Sequence, residues 1–227
     1  MDKLIGIRAC VFDAYGTLFD VNSAARAMQD RLGETWPALA ETWRAKQLQY
    51  TWLRGLAGRH ADFWQVTGDA LDFALQTHGF DDAGLRHDLM QLYLRLNAFP
   101  EVADTLRLLK AAGFKLAILS NGTPAMLQAA VGNAAIVEFM DAIFSVEEAG
   151  VYKPHPSVYQ LAVDRLGVHG GEICFLSSNG WDAYSAKAFG FRVLWCNRYG
   201  QPPERIPAEP DTQIRSLAEL PPLLMPG

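Results

Sequence analysis

Residues 12–20 read Phe-Asp-Ala-Tyr-Gly-Thr-Leu-Phe-Asp and follow directly on the apolar residues Ala9-Cys10-Val11. The run 5–12 is apolar and lacks a helical period, so it predicts a buried β-strand that ends at Asp13. Gly16 then permits a sharp turn. A carboxylate at the end of a buried strand is either a turn cap or a reactive group. Other residues of the chain are needed to distinguish these two roles.

Further along the chain, strand and helix patterns alternate. Strands are predicted at 115–119, 173–176 and 192–196, with a weaker candidate at 142–145. Helical patterns at 101–112, 124–131, 156–166 and 181–189 are each followed by a glycine, at Gly113, Gly132, Gly167 and Gly190. This alternation predicts an α/β fold with a doubly wound, Rossmann-like parallel sheet.

Residues 22–98 interrupt the alternation, because they carry helical patterns only. We interpret them as a helical cap domain inserted after the first strand, with 1–21 and 99–227 forming the Rossmann-like core domain. Within the insertion, a stripe near helical spacing predicts one buried helix face; it consists of Trp36, Leu39, Trp43, Tyr50 and Leu53. The tail from Gln201 onward is rich in proline and acids and predicts a loosely ordered edge with a C-terminus that lies along the surface.

Composition excludes several classes of function. Half of the 227 residues are apolar, and a net charge of -5 with interspersed acids and bases offers no basic face for nucleic acid or an anionic membrane. With no signal-like or membrane-spanning apolar run, a cytoplasmic location is expected. Cys10, Cys174 and Cys196 fall in or beside predicted strands, which favours buried reduced thiols over disulfides or metal ligands.

Polar residues follow four predicted strands or strand-proximal loops. They are Asp13, Ser120 with Asn121, Lys153 before Pro154, and 177–179 with Asp182. Each has an ordinary explanation as turn, cap or surface chemistry. Because the carboxyl ends of parallel strands meet at one crevice, their combination predicts a site with two carboxylates and one ammonium.

These residues resemble the haloacid dehalogenase superfamily. The matching motifs are Asp-Ala-Tyr-Gly-Thr from Asp13, Leu-Ser-Asn-Gly around Ser120, Tyr-Lys-Pro around Lys153, and Ser-Ser-Asn-Gly-Trp-Asp ending at Asp182. Most members resemble magnesium phosphatases, with acids where this chain has Tyr15 and Ser178. The departures match the (S)-2-haloacid dehalogenase branch, which the stretch 46–54 also resembles.

The resemblance implies a reaction and a set of residues. Asp13 displaces halide from C2 of a short (S)-2-haloalkanoic acid and forms an ester, and Asp182 positions or deprotonates the water that releases the (R)-2-hydroxy acid. No cofactor and no metal are implied, since Tyr15 and Ser178 remove the oxygen charge that a divalent cation needs. Supporting catalytic roles are implied for Lys153, Thr17, Ser177 and Asn179.

The remaining implied residues bind substrate and halide. Backbone amides near Ala14, Tyr15 and Asn121 together with the Ser120 hydroxyl suit the substrate carboxylate. The resemblance assigns the halide to Arg44 and Asn121, an apolar wall to Tyr15, Leu48, Phe63 and Trp181, and the orientation of Lys153 to Tyr159.

Two alternatives remain open from the sequence. One is a magnesium-dependent phosphatase or phosphonatase that uses the same aspartate, and the other is a degenerate fold retained as a small-acid binding module. The expected partners are the haloacid and water, without nucleic acid or membrane, and the resemblance suggests a homodimer.

Overall fold

A computed structural model of the protein describes residues 3–225. Its six strands form one sheet: β1 (Ala9–Phe12), β2 (Lys115–Ser120), β3 (Ala142–Ser145), β4 (Ile173–Ser177), β5 (Arg192–Cys196) and β6 (Thr212–Ile214). All neighbouring strands are parallel, and the order β3-β2-β1-β4-β5-β6 is that of the doubly wound Rossmann type. The predicted α/β fold class is confirmed.

After residue 98 the strands alternate with helices as far as β5. The α-helices are α1 (Ser23–Ala27), α2 (Gln29–Leu32), α3 (Trp36–Leu56), α4 (Phe63–Thr77), α5 (Ala83–Tyr93), α6 (Val102–Ala111), α7 (Pro124–Asn133), α8 (Pro156–Leu166), α9 (Gly180–Phe189) and α10 (Leu220–Leu224). Short 3-10 helices cover Gly33–Thr35, Val137–Phe139, Val146–Glu148, Gly170–Glu172 and Leu217–Glu219. None of the helices in residues 3–225 is long and apolar enough to cross a membrane.

The position of β1 in the sheet determines where the candidate site lies. β1 pairs with β2 on one side and β4 on the other, so the chain leaves it in opposite directions and opens a crevice at its carboxyl end. β1, β2 and β4 are buried almost throughout, as expected for central parallel strands. Cys10 and Cys174 are register partners in β1 and β4, and with Cys196 they are buried and free of disulfides.

Several predicted boundaries were wrong. The first strand begins at Ala9, because pairing with β2 and β4 starts there, and Ile5 is 85% exposed. Helix α7 passes through Gly132 and ends at Asn133. The tail is less loose than predicted, since β6 and α10 bury Ile214 and Leu220 against the core.

Residues 21–98, all described, contain the helices α1–α5 and no strand. Trp43 in α3 donates its indole N–H to the Thr67 carbonyl of α4 at 2.9 Å, and both residues are buried. The predicted stripe needs one correction, because Leu53 is 54% exposed. The buried face of α3 instead continues from Trp43 through two polar residues, Gln47 and Thr51, at intervals of one helical turn.

Candidate active site

The turn after β1 brings Thr17 back to Asp13. The carbonyl of Ala14 accepts backbone N–H bonds from Thr17, Leu18 and Phe19, and Gly16 supports this reversal with a φ of +92°. Thr17 Oγ1 consequently donates to Asp13 Oδ2 at 3.0 Å. Asp13 itself is only 6% exposed, so its carboxylate depends on protein donors for most of its solvation.

Lys153 joins the two carboxylates of the cluster. Its Nζ lies 3.2 Å from Asp13 Oδ1 and 2.9 Å from Asp182 Oδ2, and its residue is 1% exposed. Burial alone would lower the pKa of Lys153, but the charges of Asp13 and Asp182 outweigh it and hold the pKa above the ordinary value. Lys153 is therefore a firmly charged ammonium between two acids.

Asp182 is the more deeply buried acid. Burial and the nearby charge of Asp13 raise its pKa above the ordinary value, although Lys153 counteracts them. Tyr159 donates its hydroxyl to Asp182 Oδ1 at 2.7 Å. Tyr159 thus orients Asp182 directly, whereas the sequence had predicted that it orients Lys153.

The two oxygens of Asp13 have different surroundings. Oδ2 accepts from Thr17 and from Asn179 Nδ2 at 2.8 Å, with a longer 3.5 Å contact to Ser177 Oγ. Oδ1 has the Lys153 ammonium as its donor. Three neutral donors therefore surround one oxygen, while the other faces a cation.

Asn179 connects Asp13 to Arg44. Its amide nitrogen donates to Asp13 and to the Tyr15 carbonyl, and its amide oxygen accepts from Arg44 Nη2 at 3.2 Å. Arg44 also donates to the Tyr15 carbonyl at 3.3 Å and to Gln47 Oε1 at 2.8 Å. Among residues 3–225 no carboxylate lies within ion-pair distance of Arg44.

Ser120 and Asn121 lie at the end of β2 beside this cluster. Ser120 Oγ accepts the Gly122 N–H at 3.1 Å, which leaves its hydroxyl proton available to a ligand. Asn121 Oδ1 accepts the Lys153 backbone N–H at 3.1 Å and so helps to hold the lysine loop. Both residues are buried.

An aromatic group closes one side of the site. The Tyr15 ring stacks on Tyr93 at 5.5 Å between centroids and lies 5.6 Å from Phe63. Burial raises the pKa of Tyr15 well above its ordinary value, so its phenol remains neutral. A cavity of about 480 Å³ is lined by residues that include Arg44, Asn179, Leu48 and Trp181.

A second cavity, of about 600 Å³, borders Lys153 and Trp181 and is mostly apolar. Trp52 lies in its wall and meets Trp181 edge to face at 5.4 Å. Trp181 therefore stands between the two cavities.

The donor set does not fit a magnesium ion. The Lys153 ammonium already bonds both carboxylates, and a divalent cation beside it would be repelled. Tyr15 and Ser178 supply no further charged oxygen, and hard cations need several. Within residues 3–225 no group of three or more His, Cys, Asp or Glu side chains is arranged to hold a metal.

The sequence reasoning missed two residues next to the site. Gln47 holds Arg44, and its signal was a polar residue one turn after Trp43 on the buried face of α3. Arg198, after β5, donates to the Thr17 carbonyl at 2.8 Å and to Glu101 Oε1 at 2.6 Å. No local pattern marks Arg198, because its partners lie far away in the chain.

The comparisons with known proteins agree with one another. The model of the haloacid dehalogenase-like hydrolases matches residues 7–190. The chain is 49% identical to (S)-2-haloacid dehalogenase 4A of Burkholderia cepacia, covering 96% of this chain and 95% of that protein. It is also 49% identical to (S)-2-haloacid dehalogenase 1 of Pseudomonas sp. strain CBS-3, covering 96% and 97%.

A solved structure extends the likeness to three dimensions. The L-2-haloacid dehalogenase of Xanthobacter autotrophicus with chloropropionic acid covalently bound superposes with a TM-score of 0.89, at 41% identity over 96% of this chain and 98% of that one. Together with the site geometry, these matches establish that the chain belongs to the (S)-2-haloacid dehalogenases, a family of haloacid dehalogenase-like hydrolases.

Proposed function

We propose that this protein hydrolyses short (S)-2-haloalkanoic acids, such as haloacetate and 2-chloropropionate, to (R)-2-hydroxyalkanoic acids and halide. The observation that carries the proposal is the arrangement around Asp13. One of its oxygens faces an ammonium, and the other lies among neutral donors. Asn179 links it to the Arg44 guanidinium, which has no carboxylate partner in the part of the chain that the structure describes.

In the first half of the reaction, Asp13 attacks C2 of the substrate. A carboxylate is a weak nucleophile in water, but alignment, proximity and partial dehydration make displacement at a saturated carbon feasible. Oδ1 is the attacking oxygen, because Oδ2 is tied to three donors. The new bond is the ester O–C2 bond, the C2–halogen bond breaks, and its electron pair leaves with the halide.

The departing halide needs charge stabilisation but no proton. Arg44 supplies it, since its donors are bound to neutral oxygens that do not cancel its charge. This explains why a tyrosine can stand at position 15, where a phosphatase has its general acid. Backside attack inverts C2, so an (S)-haloacid yields an (R)-ester.

The substrate carboxylate binds opposite the halide, at the end of β2. The Ser120 hydroxyl and the backbone amides near Ala14, Tyr15 and Asn121 are its donors. Phe63, with the Tyr15 ring, keeps bulk water from the reacting carbon.

In the second half, water attacks the ester carbonyl carbon of Asp13. Asp182 takes up the water proton, which suits an acid whose pKa is raised. The carbonyl oxygen is then Oδ2, and Thr17, Asn179 and Ser177 already donate toward it. Those donors stabilise the oxyanion of the tetrahedral intermediate. On its collapse the Cγ–Oδ1 bond of Asp13 breaks, Asp182 returns the proton to the departing alkoxide to give the hydroxy acid, and Asp13 loses its remaining proton to water.

We further propose that residues 22–98 act as a cap domain over a core domain of residues 1–21 and 99–227. Arg44, Leu48 and Phe63 come from the helices of the segment, while both acids and Lys153 come from the sheet side. A cytoplasmic location and a homodimer complete the proposal, and size-exclusion chromatography with light scattering tests the dimer.

Chloride release from each enantiomer of 2-chloropropionate, measured in the presence of EDTA, tests the function. The wild type is expected to release chloride from the (S)-enantiomer, and Asp13→Asn is expected to release none. Asp20→Asn is the matched control, since Asp20 pairs with the half-exposed Arg26 away from the cluster and should retain activity. Absence of release by the wild type from any short haloacid would overturn the proposal; loss of release on adding EDTA would overturn its metal-free mechanism.

A further inference from the structure

Within the described residues 3–225, Arg44 is held in place by neutral groups alone. Its three acceptors are the Tyr15 carbonyl, the Asn179 amide oxygen and the Gln47 amide oxygen. Of these, Gln47 makes the shortest contact, at 2.8 Å to Nη1. Tyr15 and Asn179 belong to the sheet side, so Gln47 is the anchor of Arg44 within its own helix, one turn further on.

The orientation of the Gln47 amide is dictated by its neighbours. Thr67 Oγ1 donates its only proton to the Phe63 carbonyl at 2.6 Å, so toward Gln47 it can act only as an acceptor. Gln47 Nε2 therefore faces Thr67, at 2.7 Å, and its oxygen must face Arg44. The Tyr93 hydroxyl completes the set, 3.1 Å from the same nitrogen and 3.2 Å from the Gln47 amide oxygen, so the orientation of the amide depends on Thr67.

Gln47 is 1% exposed, so this arrangement has no access to solvent that could relax it. A buried amide whose donor and acceptor groups are all bonded is held rigidly. Such a fixed acceptor reduces the conformational entropy that the long arginine side chain would otherwise lose when it is held in place. A carboxylate at the same place would hold Arg44 equally well but would cancel its charge.

We propose that Gln47 is a positioning residue for halide departure: as a neutral acceptor it fixes the Arg44 guanidinium while leaving its positive charge free for the leaving halide. The inference rests on the proposed function and deepens it. It assigns to this buried glutamine a part in leaving-group stabilisation in addition to the packing of α3 against α4.

The test compares Gln47→Met and Gln47→Glu with the wild type. Gln47→Met removes the acceptor at similar volume, and Gln47→Glu keeps an acceptor but adds a negative charge. The readouts are kcat and KM for (S)-2-chloropropionate and (S)-2-bromopropionate, and the inhibition constants of chloride and bromide at constant ionic strength. Thermal denaturation reports the stability of each variant.

Both variants are expected to lower kcat for the chloro substrate by about tenfold, the value of one hydrogen bond to a charged group. The loss for the bromo substrate should be smaller, because chloride is the poorer leaving group and depends more on Arg44. Both should also weaken halide inhibition. A role in packing alone would instead lower the melting temperature and slow both substrates equally, and that result would overturn the proposal. If Gln47→Glu kept the wild-type halide inhibition and chloro-to-bromo ratio, the requirement for a neutral acceptor would be refuted.

Thr51→Val is the matched control. It removes a buried hydroxyl from the same face of α3, whose hydrogen bond goes to the Leu48 carbonyl and not to Gln47 or Arg44. It is expected to reduce stability while leaving the chloro-to-bromo ratio within about twofold of the wild type, since the Gln47–Arg44 contact is kept. Failure of the wild type to release any halide would refute the proposed function, whereas unaltered leaving-group dependence in active Gln47 variants would refute only this inference.

Discussion

Replacing Asp182 by asparagine should separate the two halves of the proposed reaction. The side chain is fully buried between Lys153 Nζ at 2.9 Å and the Tyr159 hydroxyl at 2.7 Å. An asparagine of the same shape can turn its amide oxygen to Lys153 and its amide nitrogen to Tyr159, whose oxygen can accept. The cluster should remain assembled, with Asp13 still paired to Lys153 and competent to attack C2.

What the substitution removes is the acceptor for the proton of the attacking water. General-base catalysis is worth about 10²–10⁴-fold, so steady-state chloride release should fall by about that factor. The first turnover should survive, because displacement of halide needs no base. Rapid-quench assays are expected to show a burst approaching one chloride per active site, and intact-protein mass spectrometry should find Asp13 carrying a carboxyethyl group.

Tyr159→Phe provides the comparison, because it removes the hydroxyl that orients Asp182 but leaves the base. We expect a loss of steady-state rate of about tenfold, the value of one hydrogen bond to a charged group, without a trapped ester. If Asp182→Asn showed neither burst nor adduct although circular dichroism proved it folded, Asp182 would be needed for the displacement itself. The assignment of halide displacement to Asp13 and of ester hydrolysis to Asp182 would then be wrong.

Three further outcomes are expected. Because burial and the Asp13 charge raise the pKa of Asp182, wild-type turnover should fall on the acid side at a pH above the ordinary value of 3.8, and the residual turnover of Asp182→Asn should lack that limb in a pH–rate profile. Gly122→Ala would put a Cβ 2.8 Å from the Tyr15 ring, so it should lower kcat/KM by about tenfold or more through a displaced apolar wall, as steady-state kinetics can measure. Arg198→Met should cost about 2 kcal/mol in urea unfolding, since it leaves the partly buried Glu101 carboxylate without its cation. Burial alone would raise the pKa of Glu101, but Arg198 holds it below the ordinary 4.5, so this stabilisation is present above pH 4.5 and the difference should shrink as the pH falls.

The central sheet could be predicted because buried parallel strands leave a strong local signal. The four inner strands are continuous apolar runs bounded by turn residues, and the rule that ligands bind at their carboxyl ends then brings Asp13, Ser120 and Asp182 together without any structure. Lys153 was harder, since it lies in a loop, and only the resemblance of its motif placed it with the acids. The structure brings its Nζ within 3.2 Å of both.

The features that the sequence does not predict depend on contacts between residues that are far apart in the chain. β6 is a three-residue edge strand in a proline-rich tail, too short for a periodic signal, and pairing with β5 rather than propensity defines it. The spacing of Gln47 from Trp43 places it on the buried face of α3, but its partners Thr67 and Tyr93 become known only from the structure. Such partners are a property of the packing of α3 on α4, which no single stretch of sequence encodes.

In the proposed reaction, the two cations of the site, Lys153 and Arg44, face the negative charge at different stages of the displacement. Before reaction, the charge resides on Asp13, next to Lys153, which two carboxylates already compensate. As the ester forms, Asp13 becomes neutral and the charge appears on the halide, next to Arg44, which has only neutral partners among residues 3–225. At Asp13 the attraction by Lys153 is partly cancelled by the repulsion from Asp182, whereas Arg44 attracts the halide with no carboxylate beside it among residues 3–225. Moving the negative charge from Asp13 to the halide is therefore electrostatically favoured. A carboxylate beside Arg44 would remove that difference, which is the physical reason why glutamine, and not glutamate, suits position 47 in the proposed reaction.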